Sequence, residues 1–316
     1  MSAKQPLSNP DYIDHDVAYL LGLLLARGEF HQDGDTRRLV VTFPYRQAVI
    51  PGALPNSPDR ETAIRLGLDD IRMRIQELLE TTVEVERHEH QVTLRAVFTR
   101  NTIGWRDLRY LTGHRNHYTE FELPDVAANF DRETKVELMR GFADAASDPS
   151  PADADRAGRH RVVLQFQFGN WKLPLQICHL LQHDLEIPVS HILWGHPNIR
   201  SPGGGSGWAK ETRMRIYAEA FEPVGYYFRY KQEIFEELLR KNRETGSHRY
   251  KPCNPKVKTI RARSGKPRHC DEKDERLPPG IRGRHFNAYF QICKRLGCKQ
   301  GKRSPQLEIF TDEDSD

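Results

Sequence analysis

No stretch of this chain is apolar for long enough to cross a bilayer. The longest such run, about residues 17–26, is half of the roughly 20 residues that a spanning helix needs. The basic-then-apolar opening of a signal peptide is also missing, since the chain begins Met1-Ser2-Ala3-Lys4-Gln5-Pro6. Cysteine is scarce, with five in 316 residues. That odd number, without a secretory opening, argues against a disulfide framework. No two cysteines are spaced as a C-x2-C pair, the commonest zinc signature. These absences set the expectation of a protein that works off the membrane, in a cytoplasmic or nucleoid-associated location.

What the chain does have is charge, unevenly spread. Charged residues make up 29% and the mean hydropathy is −0.71. The net charge is +4, yet residues 246–316 hold 17 Lys and Arg against 9 Asp and Glu. That segment is therefore +8 and the 245 residues before it are −4. A basic segment on a near-neutral body suits a polyanionic partner, foremost nucleic acid. The competing reading is a solvated tail, and the acidic end, residues 311–316, fits that description.

Two stretches organise the rest. One is Tyr19-Leu20-Leu21-Gly22-Leu23-Leu24-Leu25-Ala26-Arg27-Gly28-Glu29-Phe30, and the other is Leu138-Met139-Arg140-Gly141-Phe142-Ala143-Asp144-Ala145-Ala146-Ser147. Each reads as the end of an apolar helix with a Gly and an Ala four residues apart, Gly22/Ala26 and Gly141/Ala145, on one face. A face of such small residues lets two helix backbones approach closely, so the pair is expected to form the seam between two halves.

The flanking periodicities agree. After an irregular arm (residues 1–13), the first half reads as helix to about residue 27, hairpin with its turn at 33–35, long helix over 59–80, a second hairpin over 82–99, and helix over 103–111. The second half reads as helix over 133–145, strand over 159–168, helix over 170–185, strand over 189–194, a glycine-rich loop, strand over 211–221 and helix over 230–243. The offset between the halves is about 119 residues. An internal duplication of this kind is a fold-level signal. It defines a first repeat over 14–122, a second over 123–245 and a basic extension over 246–316.

The double motif, the duplicated αββαββα order and the segment Pro223-Val224-Gly225-Tyr226-Tyr227-Phe228-Arg229-Tyr230-Lys231-Gln232 resemble the LAGLIDADG homing endonucleases over about residues 12–243. The resemblance implies an α+β fold in which two antiparallel sheets form a pseudo-twofold saddle on the DNA major groove. It also implies a monomer with internal pseudo-dimer symmetry and an acid at the eighth position of each motif to hold divalent metal. Here those positions are Arg27 and Ala146, neither of which ligates Mg²⁺. Acids nearby are Asp144 at position six of the second motif, and Glu29 and Asp148 two residues beyond position eight. On a continuing helix, two residues turn a side chain by about 200°, away from the site.

A saddle without its metal still binds DNA through outward strand residues. The candidates are Arg38, Thr42, Arg95, Arg161, Gln165, Gln167, Arg213 and Arg215, each with a solvated strand face as the competing reading. Arg27 reads either as a phosphate contact near the dyad or as half of a salt bridge. In the extension, Lys256 and Arg261 lie in a basic run suited to tracking a phosphate backbone. Cys253, Cys270, Cys293 and Cys298 supply soft ligands that suit zinc, although Cys293 also fits the apolar face of a helix over 285–296. His88, His90, His114 and His117 are weaker metal candidates. The leading reading is a duplex DNA-binding protein that lacks Mg-dependent cleavage and acts in recognition or regulation. The second is a site-specific endonuclease using Mg²⁺ and displaced acids such as Asp144 or Glu29. The third is a protein-interaction scaffold with a protein partner.

Overall fold

A computed structural model describes residues 13–48, 59–99, 102–151, 160–167, 170–193, 211–244 and 286–287. The fold is α+β. Helix α1 (His15–Arg27) starts where the Asp14 carboxylate accepts the backbone N–H of Asp16 and Val17, at 3.0 and 2.9 Å, an N-cap that satisfies two otherwise orphaned donors. It runs into strand β1 (Gly28–Asp33), which pairs with β2 (Thr36–Pro44). A short helix α2 (Tyr45–Ala48) precedes α3 (Arg60–Leu79), strands β3 (Val83–Arg87) and β4 (Gln91–Phe98), and helix α4 (Ile103–Leu111).

The second half repeats the order. Helix α5 (Arg132–Ala146), capped by Asp131 on the N–H of Thr134 at 2.7 Å, leads to β5 (Ser147–Ser150) and β6 (Arg161–Gln167). Then come α6 (Lys172–His179) with a π turn (Leu180–Asp184), β7 (Val189–Leu193), β8 (Glu211–Tyr217), a short α7 (Ala218–Phe221) and α8 (Arg229–Glu244). All strand pairs are antiparallel. The sheets run β1-β2-β4-β3 and β5-β6-β8-β7, and the second is extended at its edge by β9 (Phe286–Asn287).

Helices α1 and α5 pack together between the two sheets. A Cβ on Gly22 would stand 2.0 Å from the carbonyl oxygen of Leu138, and one on Gly141 would stand 2.0 Å from that of Tyr19. The contact is reciprocal: each glycine meets the other helix three residues before the other glycine. Ala26 and Ala145 are buried as well. The expected seam is therefore a backbone-to-backbone contact, and the small residues are required by distance. Around it the inward residues of both sheets, among them Leu39, Val41, Phe43, Val162, Leu164 and Phe166, join one apolar core.

Several details differ from the sequence expectation; the strand expected over 211–221 ends at Tyr217 and gives way to α7. The long helix α3 is kinked at Leu66 and Gly67, where Gly67 has φ of +135° and its missing Cβ leaves room for the backbone N–H of Arg229. Only glycine holds that conformation without strain. Strand β5 contains Pro149, which hid it from periodicity. It is an edge strand, where a missing donor is tolerated. The helix expected over 170–185 ends at His179 and continues as a π turn. Phe286 and Asn287, expected to open a helix, pair with Leu193 and Ile192, because the free edge of β7 offers unpaired backbone groups.

Among the described residues no helix is long and apolar enough to cross a membrane. Gly141→Ala should cost about 3 kcal/mol or more, because its Cβ meets a backbone oxygen that no rotamer change can move. Urea unfolding of the variant and the wild type measures this, with Gly104→Ala, where nothing lies within 4 Å, as the control.

Candidate nucleic-acid interface

Helices α1 and α5 end side by side and deliver their last residues to the first strands of the two sheets. Arg27 and Ala146 are those last residues, and both are buried, at 5% and 0% exposure. Asp144, two residues earlier, is fully enclosed. Its Oδ2 accepts the Tyr19 hydroxyl at 2.7 Å and the Tyr227 N–H at 3.2 Å, and its Oδ1 accepts the Phe228 N–H at 3.1 Å. Burial pushes this carboxyl up to about 6, against the pull of the Lys231 ammonium and of the three donors. Both oxygens are thus committed to holding the loop before α8, and Asp144 does not face solvent.

Lys231 is the other enclosed charge. Its Nζ donates to the carbonyl oxygens of Ala143, Asp144 and Ser147 at 3.3, 2.7 and 2.8 Å, closing the C-terminus of α5. A cation there complements the negative end of the helix dipole. Burial draws the ammonium down to about 8, opposed by Asp148 and Asp144. The loop is fastened further by the Ser147–Tyr226 hydroxyl pair at 2.9 Å and by the Tyr226 N–H donating to Gln232 at 2.9 Å. Arg74 of α3 lies over the rings of Tyr19 and Tyr227, which meet edge-on, 4.1 and 4.9 Å from their centroids, and pairs with Asp16 and Glu137. Sequence reasoning missed both Lys231 and Arg74. Lys231 was detectable, because it sits on the apolar stripe with Ile234, Phe235 and Leu238, where lysine is rare unless partnered.

Glu29 and Asp148 are not on helices at all. They lie in β1 and β5, opposite Val40 and Val163, on the sheet faces turned away from the core. The helical argument that would turn them away therefore fails, because both helices stop two residues earlier. The Glu29 carboxylate lies 3.2 Å from Nε2 of both His31 and His117. Asp148 accepts from the Gln165 amide. Among the described residues no group of three or more His, Cys, Asp or Glu could hold a metal ion. With Arg27 and Ala146 at the motif ends and Asp144 enclosed, the residues present do not fit the divalent metal that the resemblance implies.

The outward strand faces differ in charge. On the first sheet Arg38, Val40 and Thr42 of β2 lie opposite Val97, Arg95 and Thr93 of β4, as the alternation predicts. Both arginines are already paired: Arg38 is 3.7 Å from Asp33, and Arg95 is 2.5 and 2.8 Å from Glu84 and Glu86. Four acids, Glu29, Asp33, Glu84 and Glu86, face two arginines here. On the second sheet three arginines occupy alternate rungs, which share the outward face. Arg161 lies opposite Tyr217, Arg215 opposite Val163, and Arg213 opposite Gln165. The acids placed on this face by the described strands are Asp148 and Glu211, the latter opposite Gln167. Gln167 is half-buried at the end of β6, whereas Gln165 is only 3% exposed, so it is a support for Asp148 more than an open reader of bases. The Nε atoms of Arg161, Arg213 and Arg215 are shielded from solvent, as happens when arginine stems lie across a sheet.

Lys256, Arg261, Cys253, Cys270, Cys293 and Cys298 lie outside the described residues. His88 and His90 flank a hairpin turn next to Glu86 and Glu89, and His114 ends its turn in a left-handed conformation, φ +59°.

No family model and no curated protein matches the sequence. Solved structures with a similar arrangement include I-DmoI in complex with DNA and Mn, at 13% identity, covering 65% of this chain and 90% of that one with a TM-score of 0.38. The N-terminal LAGLIDADG domain of DUF199/WhiA matches at 12% identity, 70% and 87% coverage and a TM-score of 0.36. Full-length DUF199/WhiA from Thermotoga maritima matches at 14% identity, 75% and 63% coverage and a TM-score of 0.39. At these scores the likeness is one of element arrangement and says nothing of activity.

The enclosed carboxyl of Asp144 gives a pH signature. Folded, it titrates at about 6, against an ordinary value of 3.8, so the folded protein holds the extra proton between those values. Its contribution to stability is greatest below pH 3.8 and falls as pH rises to about 6. Asp144→Asn should remove this slope. It should also cost about 1–3 kcal/mol at low pH by leaving a backbone N–H of the loop without an acceptor. Urea midpoints of the two proteins from pH 4 to 7 should converge as pH rises.

Proposed function

We propose that this protein binds duplex DNA across the outward faces of its two sheets, without metal-dependent cleavage, in DNA recognition or regulation. Residues 14–122 and 123–245 act as two repeats of one saddle, and the second sheet makes the stronger backbone contacts. The observation that carries the reading is the set of three arginines, Arg161, Arg213 and Arg215, on alternate rungs of one face of β6 and β8. Guanidinium groups on a strand pair suit phosphate oxygens and the acceptor edge of guanine, and the major groove admits a two-stranded ribbon. The absence of cleavage is supported by Arg27 and Ala146 at the two helix ends and by the enclosure of Asp144. A carboxylate whose oxygens hold three donors inside the core has no lone pair directed at solvent.

The test is a gel shift on random duplex across a salt series. Binding at low salt should weaken linearly on logarithmic axes, with a slope of about −0.9 for each phosphate neutralised. Arg213→Glu with Arg215→Glu should reduce affinity by more than about tenfold, as should Arg38→Glu with Arg95→Glu if both sheets meet the duplex. Absence of binding at low salt contradicts the proposal. A nick or cut in plasmid DNA incubated with Mg²⁺, lost in Asp144→Asn, contradicts the non-cleaving part of it.

A further inference from the structure

Arg27 is a buried cation beside the seam. It ends α1, is 5% exposed, and its Nε has no hydrogen-bond partner. Among the described residues no carboxylate lies within ion-pair distance of its guanidinium. Its close neighbour is the ring of Tyr118, 5.3 Å from the guanidinium carbon. The acids of the seam are engaged elsewhere: Asp144 by Tyr19 and the loop N–H groups, Asp148 by Gln165. The adjacent Lys231 is a second cation, and its protons are spent on the carbonyls that end α5. Helix α1 can hold a cation at its C-terminus through its dipole. That accounts for the charge but leaves the Nε donor unmatched, and a buried donor without a partner calls for an explanation.

We infer that Arg27 is the seat of an external anion, a phosphodiester group of the bound duplex lying over the junction of α1 with β1. The guanidinium is a planar fork of donors that matches two phosphate oxygens at once, and the Tyr118 ring holds the plane of that fork. In this arrangement a protein cation at the seam meets backbone charge that a metal ion would otherwise meet. The inference rests on the duplex-binding reading and adds to it a metal-free contact at the centre of the saddle.

The experiment compares wild type, Arg27→Met and Arg27→Lys by duplex binding across a salt series, with EDTA present, and by thermal melting with and without inorganic phosphate. Arg27→Met keeps the length and removes the charge. It should fold at least as well as wild type without DNA, bind duplex more than about tenfold more weakly, and lower the salt slope by about one. Arg27→Lys should keep the slope and lose part of the affinity, because an ammonium lacks the fork. Phosphate should raise the melting temperature of wild type and not of Arg27→Met. Equal duplex affinity and equal slope in wild type and Arg27→Met overturn the inference. If wild type binds no duplex, the function reading fails, and the phosphate arm decides the anion seat by itself. A melting shift retained in Arg27→Met overturns it there. If Arg27→Met does not fold, Arg27→Lys with wild-type affinity overturns it, and Arg27→Lys with reduced affinity at unchanged slope supports it.

Discussion

Two helix backbones touch at Gly22 and Gly141, and the rest of the molecule is arranged by that contact. A carbonyl oxygen stands where a side chain would begin on each helix, so no other residue fits without separating the halves. The close approach sets where both helices end, and the helix ends set where the two sheets begin. Strands β1 and β5 leave directly from Arg27 and Ala146, which turns Glu29 and Asp148 to the same kind of position on the outward faces. Packing at the seam thus decides which residues can meet a ligand.

The polar groups beneath the seam work as fastenings. Asp144 and Lys231 are both fully buried and belong to one junction: the carboxylate holds the loop before α8, and the ammonium from α8 holds the end of α5. Charges buried in this way are costly unless their bonds are complete, and here each has three partners. Arg74, over two tyrosine rings, ties α3 to the same junction. In this structure the Asp144 carboxylate is used for anchorage, its oxygens accepting from Tyr19, Tyr227 and Phe228.

Much of this was readable from the residues. The Gly/Ala spacing announced the seam, and strict alternation in Leu39–Val41–Phe43 and Val162–Leu164–Phe166 set the inner faces correctly, because a one-residue slip would expose the whole set. Helix boundaries such as Ile103–Leu111 follow from a Thr102 cap and a short apolar stripe. What escaped was set by tertiary contact. The kink at Gly67 depends on the approach of Arg229, β5 is concealed by Pro149, and β9 exists only because β7 has an open edge. Burial of Gln165 could not be read either, since alternation gives a side chain's direction and not what neighbouring arginine stems cover. The partnering of Arg38 and Arg95 by acids depends on strand register across the sheet, which no local pattern encodes.

The two outward faces differ in charge, the first carrying Arg38 and Arg95 with four acids and the second Arg161, Arg213 and Arg215 with Asp148 and Glu211. Selection of bound sequences from a random duplex pool tests the central claim most directly, because it reports affinity, site length and half-site balance together. The account predicts an enriched site longer than one helical turn, with two half-sites and more information in one of them. It further predicts that charge reversal at Arg213 and Arg215 erases the stronger half. No enrichment, or a single short motif unaffected by those reversals, would contradict it.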